Sequence, residues 1–284
     1  MAQQISKAAL ITGCSTGIGR ATAERLAAGG WRVWATARRL DAIRDLEALG
    51  CRVLACDVSD EASMATAVRT VEEAEGAVGV LVNNAGYGQE GAFETTPMAE
   101  VRRQFETNVF GLVRMTQLAL PGMRRQGWGR IVNLSSMGGK LTLPGGAFYH
   151  ATKHAVEALS DALRFEVAGF GIDVVVVEPG PITTRFGDTA IASVGAGDAA
   201  GAYGAFNAAV AAKIREAYEG PMAALAAGPE AVARAIEKAV AAPRPKPRYV
   251  VTAAAHVLMA VRRWLPDRAF DAVLRTQYPA PRGG

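Results

Sequence analysis

Short apolar runs alternate with longer amphipathic stretches along most of this 284-residue chain. Six runs rich in Val, Ile and Leu predict strands at residues 8–12, 32–37, 52–56, 78–82, 130–134 and 173–178. The stretches between them predict helices at residues 18–28, 40–49, 61–73, 98–125 and 148–168. Nearly continuous apolar strands suit a parallel sheet that is buried on both faces. The pattern predicts an α/β fold, a doubly wound Rossmann-type sheet with helices on both faces.

The order of these elements also predicts the domain organisation. No linker, repeat or charge block interrupts the chain before about residue 181, so residues 1–284 are interpreted as a single domain. Residues 181–229 are rich in Ala and Gly with broken periodicity, and predict a substrate lid or an irregular surface insert. Residues 231–241 then predict a helix, residues 249–252 one more strand, and residues 243–284 as a whole a basic C-terminal extension.

Composition excludes several classes of protein. With 50% hydrophobic and 20% charged residues, the chain has enough apolar side chains for a sizeable core, unlike a disordered protein. Cys14, Cys51 and Cys56 show no metal-like spacing and suit reduced cytosolic thiols. No signal-peptide pattern opens the sequence, and no apolar run reaches the roughly 18 residues of a membrane span. These features predict a cytoplasmic location.

The net charge of +4 is concentrated in the C-terminal extension. Residues 243–284 hold eight basic and two acidic residues, a balance of +6, which leaves −2 for the rest of the chain. A basic patch can attract nucleic acid or anionic lipid, but no nucleic-acid motif or aromatic stacking platform accompanies this one. Nucleic acid is therefore excluded as a predicted partner.

The extension is compatible with two arrangements. Its apolar residues near the basic pair Arg262 and Arg263 would suit a helix in weak peripheral contact with a membrane: Leu258, Met259, Val261, Trp264 and Leu265. A helix docked on the protein body or on a second subunit is favoured, because Arg stems routinely cover apolar surface.

A glycine-rich turn follows the first predicted strand and opens the first predicted helix. Its sequence is Thr12-Gly13-Cys14-Ser15-Thr16-Gly17-Ile18-Gly19. Glycines there allow a tight turn and a close backbone approach, and a helix N-terminus favours a pyrophosphate. The spacing Gly-x-x-x-Gly-x-Gly is also compatible with an ordinary glycine turn, but the strand–turn–helix context favours dinucleotide binding.

The second strand ends without the acid that would bind a ribose hydroxyl. Ala37 stands there, and Arg38 and Arg39 follow it. An arginine fork can hold a 2′-phosphate in bidentate fashion, so the pair favours NADP(H) over NAD(H). A solvated arginine pair is the alternative.

Polar residues also follow the third and fourth strands. Asp57, which precedes Val58, would accept from an adenine amino group or else cap the next helix, a role that suits Ser59 or Asp60 better. Asn83-Asn84-Ala85-Gly86 lies at the strand edge where open α/β sheets bind ligands, although it is also compatible with a simple turn.

A Tyr–Lys pair points to proton transfer. Tyr149 and Lys153 are four residues apart and share one face of a helix, so an ammonium can lie beside a phenol. A nearby cation favours the phenolate and lowers its pKa. Ser136, thirteen residues before Tyr149, would hold a substrate oxygen. His150, His154 and His256 are too scattered for a metal triad, so no metal site is predicted.

With Asn108 and the segment Pro179-Gly180-Pro181-Ile182-Thr183-Thr184, these motifs resemble those of the short-chain dehydrogenases/reductases. The resemblance covers about residues 6–185, and several motifs in this order are specific together. It implies an oxidoreductase that interconverts a secondary alcohol and a ketone with NADP(H).

The resemblance implies a role for each catalytic residue. Tyr149 would be the general acid in reduction and the general base in oxidation, and Ser136 would polarise the substrate. Lys153 would hold the nicotinamide ribose and lower the pKa of Tyr149. Asn108 would keep a water in a proton relay.

The resemblance also implies the cofactor contacts. Ile182 and Thr184 would fix the carboxamide, and Arg38 matches the arginine of the NADP-preferring branch. The predicted cofactor-binding residues are Gly13, Ser15, Gly17, Ile18, Gly19, Arg38, Arg39, Asp57, Val58, Asn84, Ala85, Gly86, Tyr149, Lys153, Pro179, Gly180, Ile182 and Thr184.

Two further segments look similar to the hydroxysteroid and retinol dehydrogenase-like branch: Arg39-Leu40-Asp41 and Trp264-Leu265-Pro266-Asp267-Arg268. That likeness implies a lipophilic small-molecule substrate. Its pocket would be lined by Phe186, Tyr203, Phe206, Ile214, Tyr218, Met222 and Leu225, unless these side chains only pack the lid onto the sheet. Reduction of a 3-oxoacyl thioester and non-catalytic sensing of NADP(H) stay open as alternatives.

Family members commonly pair through the helices that follow residues 98 and 148, which implies a homodimer or homotetramer.

Overall fold

Seven parallel strands form one sheet in the order β3-β2-β1-β4-β5-β6-β7. The computed structural model describes residues 5–194, 201–219 and 226–281. The strands are β1 (Ala9–Ile11), β2 (Val33–Ala37), β3 (Arg52–Ala55), β4 (Val80–Asn83), β5 (Gly129–Leu134), β6 (Ile172–Pro179) and β7 (Arg248–Val251). The sequence predicted all seven within a few residues, and the doubly wound α/β fold is confirmed. The strand order reverses between β1 and β4, which is where such sheets open a ligand crevice.

Ten α-helices accompany the strands in the described part of the chain. They are α1 (Gly17–Ala28), α2 (Glu61–Glu75), α3 (Met98–Phe105), α4 (Gly111–Gln126), α5 (Ala147–Val167), α6 (Phe186–Ser193), α7 (Gly204–Glu219), α8 (Pro229–Ala241), α9 (Ala253–Trp264) and α10 (Asp267–Arg275).

The sheet is buried on both faces, each with its own apolar cluster. On one face, Leu26 of α1 and Ile236 of α8 pack among strand residues. On the other face, Met64 of α2 and Met115 of α4 do the same. Alternate residues of one strand serve the two faces, since Ile11 belongs to the first cluster and Leu10 to the second. Burial on both sides explains why the strands read as unbroken apolar runs.

The helix predicted at residues 40–49 was wrong. The chain forms two 3₁₀ turns there, Leu40–Ala42 and Arg44–Leu49, separated at Ile43 by a backbone φ of −135°. Only Ile43 and Leu46 are fully buried in this stretch, so it has too narrow an apolar face for a packed α-helix.

The long helix predicted at residues 98–125 contains a π-helical turn, Glu106–Phe110. Such one-turn irregularities in a helix are frequent at functional sites. Here the turn buries Asn108, and Gly111 follows it against Val58. A Cβ on Gly111 would meet the Val58 carbonyl oxygen at 2.4 Å, so glycine permits this close packing.

The predicted lid contains two helices, α6 and α7. Residues 195–200 and 220–225 lie outside the described residues, and with them Met222 and Leu225. The C-terminal extension forms β7, α9 and α10, so its first part is a strand of the main sheet. None of the described helices combines the length and the apolar character that crossing a bilayer requires.

Arg248 of β7, counted above among the tail charges, belongs to a largely buried ion network. Its guanidinium lies 3.1 Å from Glu157, 2.7 Å from Asp161 and 3.3 Å from Glu178. Lys140 lies 2.7 Å from the same Glu157 carboxylate. Burial raises the pKa of Glu178 to about 7, and the neighbouring Glu157 charge adds to this effect. The network ties β6 and β7 to α5, the helix that carries Tyr149.

Replacing Arg248 by leucine should lower the free energy of unfolding by about 3 kcal/mol, because two buried carboxylates lose a cation. The matched control is Arg244→Leu, an exposed residue without an ion pair in the described chain, which should change it by less than about 0.5 kcal/mol. Urea denaturation followed by circular dichroism measures both. Equal shifts in the two variants would contradict a stabilising role for the network.

Candidate active site

A cleft of about 710 Å³ runs along the carboxyl edge of the sheet. Residues that follow six of the seven strands line it. Of the predicted cofactor residues, these line the cleft: Gly13, Ser15, Gly17, Ile18, Arg38, Asp57, Val58, Asn84, Ala85, Gly86, Tyr149, Lys153, Pro179, Gly180, Ile182 and Thr184. The predicted cofactor residues Gly19 and Arg39 do not line it, and neither does Asn108, which was predicted as catalytic. The parallel topology accounts for this convergence, since all carboxyl ends lie at one edge.

The glycine turn is tied to the end of β4 by hydrogen bonds. Thr12 Oγ1 accepts from the backbone N–H groups of Asn84 and Ala85, both at 3.0 Å. The Asn84 side-chain amide donates to the carbonyl oxygens of Thr12 and Gly13 at 2.9 and 3.1 Å. Asn84 therefore holds the turn in place, in addition to lining the cleft.

Two glycines of the turn have backbone conformations that favour glycine. Gly13 has φ of +74°, and a Cβ there would lie 2.9 Å from the Cα of Ala85. Gly17 has φ of +61°, and a Cβ there would lie 3.1 Å from the Thr184 methyl group. Gly19 lies behind the turn, where a Cβ would meet the Gly13 carbonyl at 2.4 Å. Its part is close packing of the helix rather than contact with the cleft.

The N-terminus of α1 fits a pyrophosphate. Thr16 at the N-cap makes no side-chain capping bond, and the first turn of α1 contains no acidic residue. Ser15 and Thr16 are exposed to the cleft side of the turn. The first N–H groups of the helix thus remain available for an anion. The glycines, the helix end and the cleft together fit a dinucleotide.

The two arginines after β2 behave differently. Arg38 is exposed and lines the cleft, without an ion pair among the described residues. Arg39 does not line the cleft, and its guanidinium lies 3.8 Å from Asp41. Both arginines were predicted to contact the cofactor. The geometry supports that contact for Arg38, since Arg38 lines the cleft.

Asp57 is not the cap of α2. Asp60 caps that helix by accepting from Ala62 and Ser63, as the alternative interpretation anticipated. Asp57 Oδ1 accepts from the backbone and hydroxyl of Ser59 at 2.9 and 2.7 Å. These bonds orient its carboxylate along the cleft wall beside Val58.

Tyr149, Lys153 and Ser136 lie in the same cleft. The Lys153 ammonium is 5.7 Å from the centre of the Tyr149 ring and donates to the Leu134 carbonyl at 2.8 Å. Ser136 accepts a 3.0 Å bond from the Gly138 backbone, which fixes the loop that carries it. The three side chains come from the end of β5 and the first turns of α5.

The pKa of Tyr149 does not shift in the predicted direction within the protein itself. Burial raises the pKa of Tyr149, an effect that the neighbouring Ser136 hydroxyl only partly opposes. Burial also lowers the pKa of the Lys153 ammonium to about 8. Desolvation thus outweighs the effect of the Tyr–Lys spacing, because both groups lie deep in the cleft.

Asn108 holds the backbone of Tyr87. Its amide nitrogen donates to the Tyr87 carbonyl at 2.9 Å and to Thr152 Oγ1 at 3.1 Å. Its Oδ1 accepts from the Tyr87 N–H at 3.1 Å. Both hydrogen atoms of the amide are used, so in this geometry Asn108 positions the loop after β4.

An apolar and aromatic wall faces Tyr149 across the cleft. Phe186, Ile214 and Tyr218 line it as predicted, and the Phe186 ring is centred 5.3 Å from Tyr149. Tyr203 and Phe206 do not line the cleft. The Tyr203 hydroxyl instead donates to Glu94 at 2.7 Å, outside the cleft.

Sequence analysis missed several residues that line the cleft, among them Glu90, His150 and Tyr278. The sequence analysis considered His150 only as a metal ligand and assigned it no other role. Its Nδ1 accepts from the Leu143 N–H at 3.0 Å, and burial lowers its pKa to about 4, so it is neutral. Tyr278 follows α10 and returns to the cleft from the far end of the chain. No local motif marks it, because tertiary packing alone brings it there.

Comparison with known proteins agrees with this geometry. A family model described as short chain dehydrogenase matches residues 7–193. The chain belongs to the short-chain dehydrogenase/reductase family. The match covers the glycine turn, the Tyr–Lys pair and most of the sheet. The resemblance inferred from the motifs is thereby confirmed at the level of the family.

Three curated proteins of similar length share about a third of their residues with this family member. The uncharacterized oxidoreductase YbbO of Escherichia coli is 35% identical, with 95% of each chain covered. A 3-ketodihydrosphingosine reductase of Bacteroides thetaiotaomicron is 37% identical, with 95% of this chain and 97% of its own covered. An NADPH-dependent 3-dehydrocapnine reductase of Ornithobacterium rhinotracheale is 35% identical, with 93% and 95% covered.

Solved structures show the same fold. A short-chain dehydrogenase from Streptomyces avermitilis matches with a TM-score of 0.79 and 35% identity, covering 96% of both chains. A serine dehydrogenase complexed with NADP⁺ matches with a TM-score of 0.75 and 26% identity, covering 87% of this chain and 95% of its own. The chain is therefore an oxidoreductase of this family.

Proposed function

We propose that the protein is an NADP(H)-dependent oxidoreductase that interconverts a lipophilic secondary alcohol and a ketone. The observation that carries this proposal is the position of Tyr149. Its hydroxyl-bearing ring lies in one cleft with Ser136 and Lys153, opposite the apolar wall that Phe186 begins. A proton donor, a hydroxyl and an apolar surface are what reduction of a lipophilic ketone requires.

Tyr149 would act as general acid in the reductive direction. When bound, NADPH supplies a hydride to the carbonyl carbon. The Ser136 hydroxyl would hold the carbonyl oxygen by a hydrogen bond, and Tyr149 would donate its proton as negative charge develops there. The raised pKa of Tyr149 suits this role, because the phenol keeps its proton until the oxygen becomes basic. Lys153 would place its positive charge beside the developing anion.

Three observations support NADP(H) as the cofactor. Arg38 lines the cleft at the end of β2, where no carboxylate is present to repel a phosphate. One relative is named an NADPH-dependent reductase. A structural neighbour was solved with NADP⁺. The 2′-phosphate would bind the Arg38 guanidinium.

The relatives favour a long-chain ketone as substrate. One of them is named for reduction of 3-ketodihydrosphingosine, a lipid ketone. The apolar wall formed by Phe186, Ile214 and Tyr218 is compatible with such a chain. The steroid- or retinol-like substrate of the predicted branch remains a prediction within the same lipophilic class.

The two alternatives are less well supported. A non-catalytic NADP(H) sensor would not need Tyr149, Ser136 and Lys153 in the same cleft. A 3-oxoacyl thioester reductase needs the same three residues, and activity on a soluble thioester analogue distinguishes it.

The cytoplasmic location stays a prediction. The three cysteines, Cys14, Cys51 and Cys56, are free and buried, which is compatible with it.

Tyr149→Phe should lower kcat for ketone reduction by about 10²- to 10⁴-fold, the usual contribution of a positioned acid. Affinity for NADPH should change little, because only the hydroxyl is lost. NADPH oxidation at saturating ketone measures the first quantity, and fluorescence titration with NADPH measures the second. Turnover equal to that of the wild type would refute the assignment of Tyr149 as acid.

Arg38→Ala should raise the Kd for NADPH by about 10- to 100-fold, since a charge-assisted bond contributes about 1.5–3 kcal/mol. The Kd for NADH should change little. Arg39→Ala is the matched control: the same charge is removed next to it, on a side chain that points to Asp41. A comparable loss of NADPH affinity in both variants would show that Arg38 does not select the phosphate.

We also propose that two copies pair through α4 and α5. Phe110, just before α4, and Leu159 and Phe165 on α5 are exposed, the last of them 83%. Large apolar side chains exposed on neighbouring helices are typical of a protein interface.

Contact of α9 with a membrane also remains a prediction. Its Trp264 is 81% exposed, whereas Arg262 pairs with Asp267.

Phe165→Asp should shift the protein from an oligomer towards a monomer, because a charge would be buried in the interface. Light scattering at several protein concentrations measures the change. Val257→Asp provides the control, as Val257 on α9 is 60% exposed and lies outside the proposed interface. A wild type that is monomeric at all concentrations would contradict the pairing.

A further inference from the structure

Glu90 is a carboxylate without a cation at the substrate end of the cleft. It lies on the loop after β4 and lines the cleft together with Tyr149 and Phe186. Its backbone N–H donates to Ser193 Oγ at 2.9 Å, which anchors the loop to α6. None of the described residues makes a hydrogen bond or an ion pair to its side-chain oxygens.

The carboxylate lies close to the helix end that carries Tyr149. Its Oε2 is 2.9 Å from the point where a Cβ would stand on Gly146, three residues before Tyr149. Its Oε1 is 3.4 Å from the corresponding point on Gly88, beside the Phe186 ring. The Glu90 carboxylate thus lies between Gly88 of its own loop and Gly146 at the N-cap of α5.

The neighbouring groups do not neutralise Glu90. Lys213 and Arg103, which also line the cleft, pair with Glu216 and Glu100. His150 is neutral, as its lowered pKa shows. Tyr218 and Tyr278 are likewise protonated, because burial raises the pKa of each to about 12 and the Glu90 charge adds to that effect. Arg185 also lines the cleft but makes no ion pair to Glu90.

The electrostatic state of Glu90 matches this geometry. Burial alone raises the pKa of its carboxyl to about 8, with no opposing contribution from a cation. Glu90 is half-buried in the cleft, and none of the described cations compensates its carboxylate. A partly desolvated carboxylate without a cation binds a cationic ligand more favourably than a fully solvated one does. A cationic group that enters the cleft would provide that compensation and bring Glu90 into its charged form.

We propose that Glu90 binds the ammonium group of the substrate, and that the substrate is a long-chain amino ketone. This inference rests on the proposed function, because it assigns the carbonyl to Tyr149 and Ser136. The ammonium would then lie beside Glu90, which lines the same cleft as Tyr149 and Ser136. The apolar chain would follow Phe186 and Tyr218. 3-Ketodihydrosphingosine, the compound for which one relative is named, is an amino ketone of this kind.

Glu90 would make the enzyme discriminate between ketones with and without the amine. A site that desolvates its own charged side chain binds a ligand much more weakly when that ligand lacks the opposite charge. The substitution Glu90→Gln keeps the shape and the hydrogen-bonding capacity of the side chain but removes its charge. It therefore separates charge recognition from packing.

The turnover experiment compares 3-ketodihydrosphingosine with the 3-ketone of the same chain length that lacks the amino group. For each protein, kcat/KM is measured by NADPH oxidation in the same mixed detergent micelles. Glu90→Gln should reduce the ratio of the two kcat/KM values by at least about 30-fold, because only the amino ketone loses a charged partner. Glu73→Gln, which removes an equal charge from an exposed position on α2, should leave the ratio unchanged.

A binding experiment tests Glu90 without turnover. Octylamine and octan-1-ol are titrated, below the concentrations at which they form micelles, into the protein with NADPH present. The wild type should bind octylamine more tightly than octan-1-ol, and Glu90→Gln should lose about tenfold in octylamine affinity only. Unchanged NADPH affinity shows that the variant is folded.

The two experiments separate the two claims. If neither ketone is reduced, the proposed function fails, and the octylamine titration still decides the role of Glu90. If the wild type shows no preference for the amine-containing compound in either experiment, the assignment of Glu90 is overturned. The same holds if Glu90→Gln keeps the preference of the wild type.

Discussion

The hydrogen bonds that join β1 to β4 are the constraint on which the rest of the site depends. These strands are neighbours at the point where the sheet order reverses, and Thr12 Oγ1 bonds two backbone N–H groups across the gap. With the Asn84 amide on the other side, the glycine turn is fixed against the loop that leads to Gly86. That loop continues to Tyr87, which Asn108 holds, and to Glu90. One pair of strand ends therefore positions the proposed cofactor and substrate regions together.

Desolvation dominates the chemistry of the cleft. It raises the pKa of Tyr149 and of Glu90 and lowers the pKa of Lys153, so that each group is kept nearer its neutral form. Such groups respond strongly to a charge that arrives with a ligand, because little water screens the interaction. Behind the cleft, the charges of Glu157 and Glu178 are instead compensated within the protein, by Lys140 and Arg248. Glu157 and Glu178 thus lie beside cations of the protein, whereas Glu90 pairs with none of the described residues.

Much of this could be predicted from the sequence because it depends on local pattern. The strands are unbroken apolar runs since both faces of the sheet are buried, and their carboxyl ends carry the motifs in chain order. Where prediction failed, a tertiary contact decided. Residues 40–49 form 3₁₀ turns because few of their side chains find a core. Arg38 lines the cleft and Arg39 does not, a difference that two adjacent identical residues cannot reveal, and the cofactor role of Arg39 stays a prediction. The pKa of Tyr149 depends on burial, which spacing does not measure.

The sequence by itself determined the α/β class, the positions of the strands along the chain, the family and the motif residues along the cleft, because periodicity and motif spacing are properties of neighbouring residues. Only the tertiary structure decided which side chains of distant segments meet. It brought Tyr278 from the end of the chain to the cleft, took Arg248 out of the basic tail into a buried network, and left Glu90 beside Tyr149 without a cation. The physical reason is that burial and charge compensation arise from the packing of residues far apart in the chain.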